Sequence, residues 1–290
     1  MSEVITLVLS PEERRTLYEA WKDTASERVP PYGEYQLRPE NCVITAYTSG
    51  KVVFQGKDAE VYASPFRKEL LSHPSAKKPE FPQAGSDEVG TGDYFGPVCV
   101  CASIVQESDL GMLKELGVRD SKALTDQEIR KIAPKLMQTL RYSLLIVNPE
   151  KYNQVHASSN MNAIKAKLHN QAYVNLSQKT RLPAFRIIDQ FAPESQYYHY
   201  LSHEKTVIRG ITFETKAENK YPAVGSASVI ARYAFLVSMD EMEKKYDMKF
   251  QKGAGPKVDD CALEFVNRYG MDHLKDVAKL HFRNTEKLHR

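Results

Sequence analysis

The sequence predicts an α/β protein, a mixed sheet flanked by helices and preceded by a smaller α/β unit. Three observations carry this reading. From about residue 83 to 246, apolar runs of strand length alternate with helical periodicities, the pattern of a sheet with helices packed on it. The first 75 residues show the same alternation on a smaller scale. Between the two, Ser72-His73-Pro74-Ser75-Ala76-Lys77-Lys78-Pro79-Glu80-Phe81-Pro82 holds three prolines and no apolar periodicity, which marks an exposed connector. The expected divisions are residues 1–72, a linker at 73–83, and residues 84–290.

The smaller unit opens with a strand at Val4–Leu9. Ser10-Pro11-Glu12-Glu13 then supplies an N-cap serine, a proline at N1 and a glutamate at N3, so a helix begins at Pro11. Its apolar residues Leu17, Tyr18 and Trp21 fall on one face. Tyr35–Leu37, Cys42–Tyr47 and Val52–Gln55 read as strands, the last two joined as a hairpin through Thr48-Ser49-Gly50-Lys51. A second helix is expected from about Asp58 toward Leu71. In the larger unit one strand enters Asp87, and Val98–Val105, with its Val, Cys and Ala, suits a buried partner strand. Helices follow at about Asp109–Leu116 and Thr125–Leu140, a strand at Tyr142–Val147, and a helix at Met161–Gln178. A short strand, Phe185–Ile188, ends in Asp189. A strand at Thr206–Thr215 leads to a long helix from about Pro222 to Tyr246.

A chain of 290 residues with 42% hydrophobic content can bury one or two substantial cores. No apolar run approaches the length of a membrane span, and Met1-Ser2-Glu3 followed by the short Val4–Leu9 stretch is not a secretory signal. The cysteines Cys42, Cys99, Cys101 and Cys261 form no paired framework, with Cys99 and Cys101 alternating along one predicted strand. Reduced thiols and a cytoplasmic location are expected. The net charge is +3, but residues 1–75 hold nine Lys and Arg against eleven Asp and Glu. The positive excess therefore lies downstream, a balance compatible with a polyanionic partner. Nothing in the sequence demands an oligomer, a protein partner or a membrane.

Residues 85–97, Gly85-Ser86-Asp87-Glu88-Val89-Gly90-Thr91-Gly92-Asp93-Tyr94-Phe95-Gly96-Pro97, join adjacent carboxylates to a glycine-rich loop at a strand end. Asp189 ends a second strand, so three acids from two strand ends could converge. Clustered carboxylates repel unless a cation or protons neutralise them, and oxygen-only ligation favours Mg²⁺ or Mn²⁺. By itself an Asp-Glu pair in a loop is ordinary solvated surface. Gly90-Thr91-Gly92 followed by Gly96 breaks the G-x-G-x-x-G spacing of a dinucleotide fingerprint, which disfavours a nucleotide-dependent oxidoreductase. Glycines there let backbone amides approach a nucleic-acid backbone. The eight histidines show no zinc pattern; none is assigned a role, and His169 reads as a packed or surface residue of its helix.

The whole block Asp87–Pro97 resembles the first active-site motif of the type 2 ribonucleases H, and its Gly-Thr-Gly form resembles that of ribonuclease HIII. Further matches follow in order: Arg119-Asp120-Ser121-Lys122, Asn160-Met161-Asn162-Ala163, Ile188-Asp189-Gln190-Phe191 and Ala227-Ser228-Val229-Ile230-Ala231-Arg232. The resemblance covers roughly residues 80–290. The preceding unit is similar to the TATA-binding-protein-like extension of ribonuclease HIII.

The resemblance implies a ribonuclease H-like catalytic domain and a TATA-binding-protein-like substrate-binding domain. It implies hydrolysis of the RNA strand of RNA/DNA hybrids with Mg²⁺ or Mn²⁺, two ions during catalysis, giving 3′-hydroxyl and 5′-phosphate ends. Its acids map onto Asp87, Glu88 and Asp189. The fourth is placed at Glu218 in Thr215-Lys216-Ala217-Glu218, with Glu214 as the alternative. Gly90, Thr91 and Gly92 are the implied readers of the ribose 2′-hydroxyl, and Lys122 the contact to a phosphate. Tyr47, Thr48 and Lys51 are candidates for hybrid binding in the smaller unit. A ribonuclease HII-like junction nuclease and a non-catalytic nucleic-acid-binding module stay open as other readings.

Overall fold

The computed structural model describes residues 3–66, 80–118 and 124–288. The chain divides into two compact units, residues 1–78 and 79–290.

The first unit runs β1 (Glu3–Val8), α1 (Pro11–Trp21), β2 (Gly33–Leu37), β3 (Cys42–Tyr47), β4 (Lys51–Gly56) and α2 (Ala59–Ala63). The expected capping box starts α1: the Glu13 amide donates to Ser10 Oγ (3.2 Å), and the Ser10 amide donates to Glu13 Oε2 (2.7 Å). The sheet order is β1-β4-β3-β2, antiparallel throughout. Strand alternation sends Ile5, Ile44 and Phe54 into a core with Leu17 of α1 and Ala59 and Ala63 of α2. The other phase, Val4, Thr6 and Val8 on β1 and Lys51 and Gln55 on β4, is exposed. One sheet face is therefore covered and the other open. The second helix, expected from about Asp58 toward Leu71, ends at Ala63 and gives way to a turn at residues 64–66; residues 67–71 lie outside the described residues, as does most of the expected linker.

The second unit runs β5 (Gln83–Val89), β6 (Val98–Val105), α3 (Leu110–Glu115), α4 (Asp126–Thr139), β7 (Arg141–Val147), α5 (Pro149–His156), α6 (Met161–Lys179), β8 (Phe185–Asp189), α7 (Glu194–Tyr200), β9 (Ile211–Glu214), α8 (Pro222–Lys245), α9 (Pro256–Tyr269), α10 (Leu274–Val277) and α11 (Arg283–Lys287). Its sheet order is β7-β6-β5-β8-β9, with β5, β6 and β7 antiparallel and β5, β8 and β9 parallel. Two cores result: α8, α4 and α9 cover one face, and α6 and α7 the other.

Two further expectations are corrected. The strand expected at Thr206–Thr215 is only Ile211–Glu214. Ahead of it Asn170 of α6 takes the backbone bonds, donating to Thr206 O (2.7 Å) and accepting from the Ile208 amide (2.9 Å), and Gly210 turns at φ +67°. The absence of any membrane-length apolar stretch is also overturned. A stretch of α8 is long and apolar enough to cross a membrane by length and composition, yet 67% of it is buried inside this unit, the mark of a core helix.

Candidate active site

Close approach of α8 to β5 sets the site. Gly85 makes it possible: a Cβ there would lie 2.3 Å from Val224 N and 2.6 Å from Ala223 C. Two residues along β5, Asp87 is 7% exposed and hydrogen-bonded by Ser228 of α8. The register Ser86↔Ile188 between parallel β5 and β8 sets Asp87 level with Asp189 at neighbouring strand ends. Asp189 Oδ1 accepts from the Ala217 amide (3.0 Å), and Glu218, 1% exposed, follows in the same turn. Ile187, Ala217 and Val224 form a small apolar cluster that ties this turn to α8.

Alternation along β5 separates the adjacent acids. Asp87 faces α8, whereas Glu88 is turned toward α6, where Lys165 Nζ pairs with Oε1 and His169 Nε2 lies 2.8 Å from Oε2. Adjacency in sequence therefore does not make a convergent pair. Among the described residues no three His, Cys, Asp or Glu side chains stand together as a ready metal-ligand group. The charges still feel one another. Burial and the Glu88 charge, with Asp189 adding, push the Asp87 carboxyl up to about 8 against hydrogen bonds from Ser228 and the Glu88 amide. Burial also works against ionised Glu88, but His169 and Lys165 outweigh it and hold Glu88 below its usual range.

Asp87, Asp189 and Glu218 offer only oxygen donors, which suits a hard divalent cation. A cation would also supply positive charge beside buried Asp87, whose ionisation burial and the neighbouring acids oppose. Glu214, the alternative fourth acid, pairs with Lys220 and accepts from Tyr221 OH (2.8 Å). Ser86 Oγ, His169 Nδ1 and Nε2, and Glu88 form a chain like that of a serine hydrolase, each link 2.8 Å. Ser86 is fully buried, so its hydroxyl is no nucleophile for an outside substrate.

The glycine loop is pinned beneath and open above. Gly90 turns at φ +95°, where a Cβ would lie 2.1 Å from Pro97 O, so only glycine fits. Asp93 Oδ1 accepts from the Gly253 amide (2.6 Å), the Tyr94 amide donates to Gly253 O (2.8 Å), and the Gly96 amide donates to Val277 O (2.9 Å). Gly92 is exposed, with nothing within 4 Å of a Cβ. Lys122 and the rest of Arg119-Asp120-Ser121-Lys122 lie outside the described residues. Asn160 is the N-cap of α6, its Oδ1 accepting from the Ala163 amide (2.9 Å). Arg232 ties α8 to the start of α4 through Leu124 O (2.8 Å) and Asp126 (2.7 Å).

Local sequence gives Lys165 and His169 no role and reads His169 as a packed or surface residue. They are i and i+4 on α6, and that spacing is the available signal. Nothing local, however, names Glu88 as their partner.

Comparison with known proteins follows the same division. Residues 84–285 match the ribonuclease HII family, and residues 4–79 match a domain of unknown function, DUF3378. The chain is 40% identical to ribonuclease HIII of Bacillus pumilus (strain SAFR-032) over 297 residues, 97% of each chain. It is 40% identical to ribonuclease HIII of Bacillus mycoides (strain KBAB4) over 308 residues, 100% of this chain and 99% of that one. In structure it is similar to Bst-RNase HIII in complex with Mn²⁺, with a TM-score of 0.73, 34% identity, and 99% of this chain and 98% of that one covered.

Proposed function

The chain belongs to the ribonuclease HII family and is similar to ribonucleases HIII over nearly its whole length, and from this we infer an endonuclease that hydrolyses the RNA strand of RNA/DNA hybrids. The observation that carries the chemistry is the set of oxygen donors at neighbouring strand ends, buried Asp87 and half-buried Asp189, with buried Glu218 in the turn bonded to Asp189. We assign Asp87, Glu88, Asp189 and Glu218 as the catalytic acids and the holders of Mg²⁺ or Mn²⁺. Bound there, two such ions would acidify a water and neutralise charge at the scissile phosphate, leaving 3′-hydroxyl and 5′-phosphate ends. On this reading Asp87 and Asp189, level with one another at the ends of paired strands, would hold the ions, and Glu88 and Glu218 would complete ligation or hold the attacking water. The similarity to Bst-RNase HIII in its complex with Mn²⁺ supports a divalent metal.

Substrate choice falls to the backbone of Gly90, Thr91 and Gly92, which reads the 2′-hydroxyl across the wide minor groove of the hybrid. In the first unit, exposed Thr48 and Lys51 and half-buried Tyr47 supply the contacts of a second hybrid-binding surface. The four free, buried cysteines suit the reducing cytoplasm to which we assign the enzyme. Asp87→Asn tests the assignment. Cleavage of a uniform hybrid is expected to vanish while hybrid affinity stays within a few-fold of wild type, and near-wild-type turnover would overturn it.

A further inference from the structure

Lys165 and His169 stand one turn apart on the same face of α6, and between them they engage both oxygens of Glu88. Behind the imidazole, Ser86 Oγ lies 2.8 Å from Nδ1. An ionised carboxylate only accepts, so a proton on Nε2 faces Glu88, and Nδ1 shares a hydrogen bond with the Ser86 hydroxyl. Phe191 covers both side chains. Its ring centroid is 4.1 Å from Lys165 Nζ, and it stacks on His169 at 5.4 Å. The supports come from the strands that carry the acids: Ser86 precedes Asp87, and Phe191 follows Asp189 by two residues.

Ser86 and His169 are fully buried and Lys165 is 8% exposed. A dry ion pair persists only when its geometry is good and its remaining hydrogen-bonding capacity is met. Here the imidazole has both nitrogens engaged and its ring face covered. The flexible Glu88 side chain is thereby held in one orientation at the edge of the acid site.

We propose that His169, fixed by Ser86 and Phe191, acts with Lys165 as a positioning pair that holds the Glu88 carboxylate for the divalent metal. The proposal rests on the metal-dependent reading above. Outer partners that orient a metal ligand are worth about 10- to 100-fold in affinity or activity. The role asks for a hydrogen-bond donor facing Glu88, not merely for volume in the core. A glutamine can supply that donor, and a leucine cannot.

The test is calorimetric titration of the full chain with Mn²⁺ alone, without nucleic acid, alongside hybrid cleavage kinetics, for wild type, His169→Leu and His169→Gln. His169→Leu is expected to bind Mn²⁺ about 10-fold more weakly or worse and to lose a similar factor in kcat, with KM for the hybrid unchanged. His169→Gln is expected within about threefold of wild type. A merely structural role would lower the stability of His169→Leu, read by urea unfolding, and leave Mn²⁺ binding by the folded protein at the wild-type level. Wild-type Mn²⁺ affinity in His169→Leu, or equal impairment of both variants, overturns the proposal. If His169→Leu does not fold, Ser86→Ala decides: it removes one hydroxyl and should weaken Mn²⁺ binding about threefold or more, and unchanged binding overturns the proposal. Failure of wild type to cleave hybrids would reject the functional reading instead, and the Mn²⁺ titrations would still judge the positioning pair.

Discussion

Lys279 is fully buried, and its Nζ donates to Gly96 O at 2.6 Å beneath the glycine loop. Burial lowers its pKa from 10.5 to about 7, against the pull of Asp93. Between those values the unfolded chain binds more protons than the folded one, so this lysine makes stability rise with pH. Wild type should therefore gain on Lys279→Met by up to about 1.4 kcal/mol per pH unit between pH 7 and 10, as measured by urea unfolding. A difference that does not change with pH would contradict the assignment. At this scale legibility was uneven. Asp87, Glu88 and Asp189 stood out because the chemistry-bearing residues sit in short contiguous blocks. Lys165, His169 and Lys279 did not, because each takes its meaning from a partner far along the chain, 81 residues away for His169 and 183 for Lys279.

Packing of α8 on β5 is the element-scale feature on which the site depends. Gly85→Ala would drive a methyl into the backbone of α8 and should destabilise the protein by roughly 1–3 kcal/mol or more. Activity should fall with it, because Asp87 and Ser228 lie across that contact. The loop glycines separate fold from function. Gly90→Ala meets Pro97 O at a positive φ and should be unstable, whereas Gly92→Ala meets nothing and should melt like wild type. If the loop reads ribose, Gly92→Ala still loses catalytic efficiency on hybrids, and wild-type kinetics would reject that task for Gly92. Local grammar made most elements readable: the Ser10 and Thr125 capping boxes and Pro222 at the head of α8 mark helix starts directly. The strand at 206–215 is shorter than its apolar pattern predicts because its first half binds Asn170 of α6, a tertiary competition that local periodicity does not record.

At the scale of the whole molecule, the chain forms two units with separate cores. The open sheet face of the first unit mixes aliphatic, hydroxyl and cationic groups, although residues 1–75 have an acidic balance. The hybrid-binding role proposed for this face would rest more on shape and stacking than on phosphate neutralisation. Deleting residues 1–75 should weaken hybrid affinity while changing the salt slope only slightly, as measured at two salt concentrations; unchanged affinity would reject a binding role. The sequence places the connector in the proline-rich segment at 72–82, which has no apolar periodicity and so no face to bury. Divalent-metal hydrolysis of RNA within hybrids underlies every assignment at the acid site, and it is checked by wild-type cleavage of a uniform RNA/DNA hybrid with Mn²⁺ or Mg²⁺ and again with excess chelator. Cleavage of the RNA strand alone, with 5′-phosphate products and complete loss in chelator, is predicted; cleavage that persists without metal, or an intact RNA strand with it, would contradict metal-dependent hydrolysis by these acids.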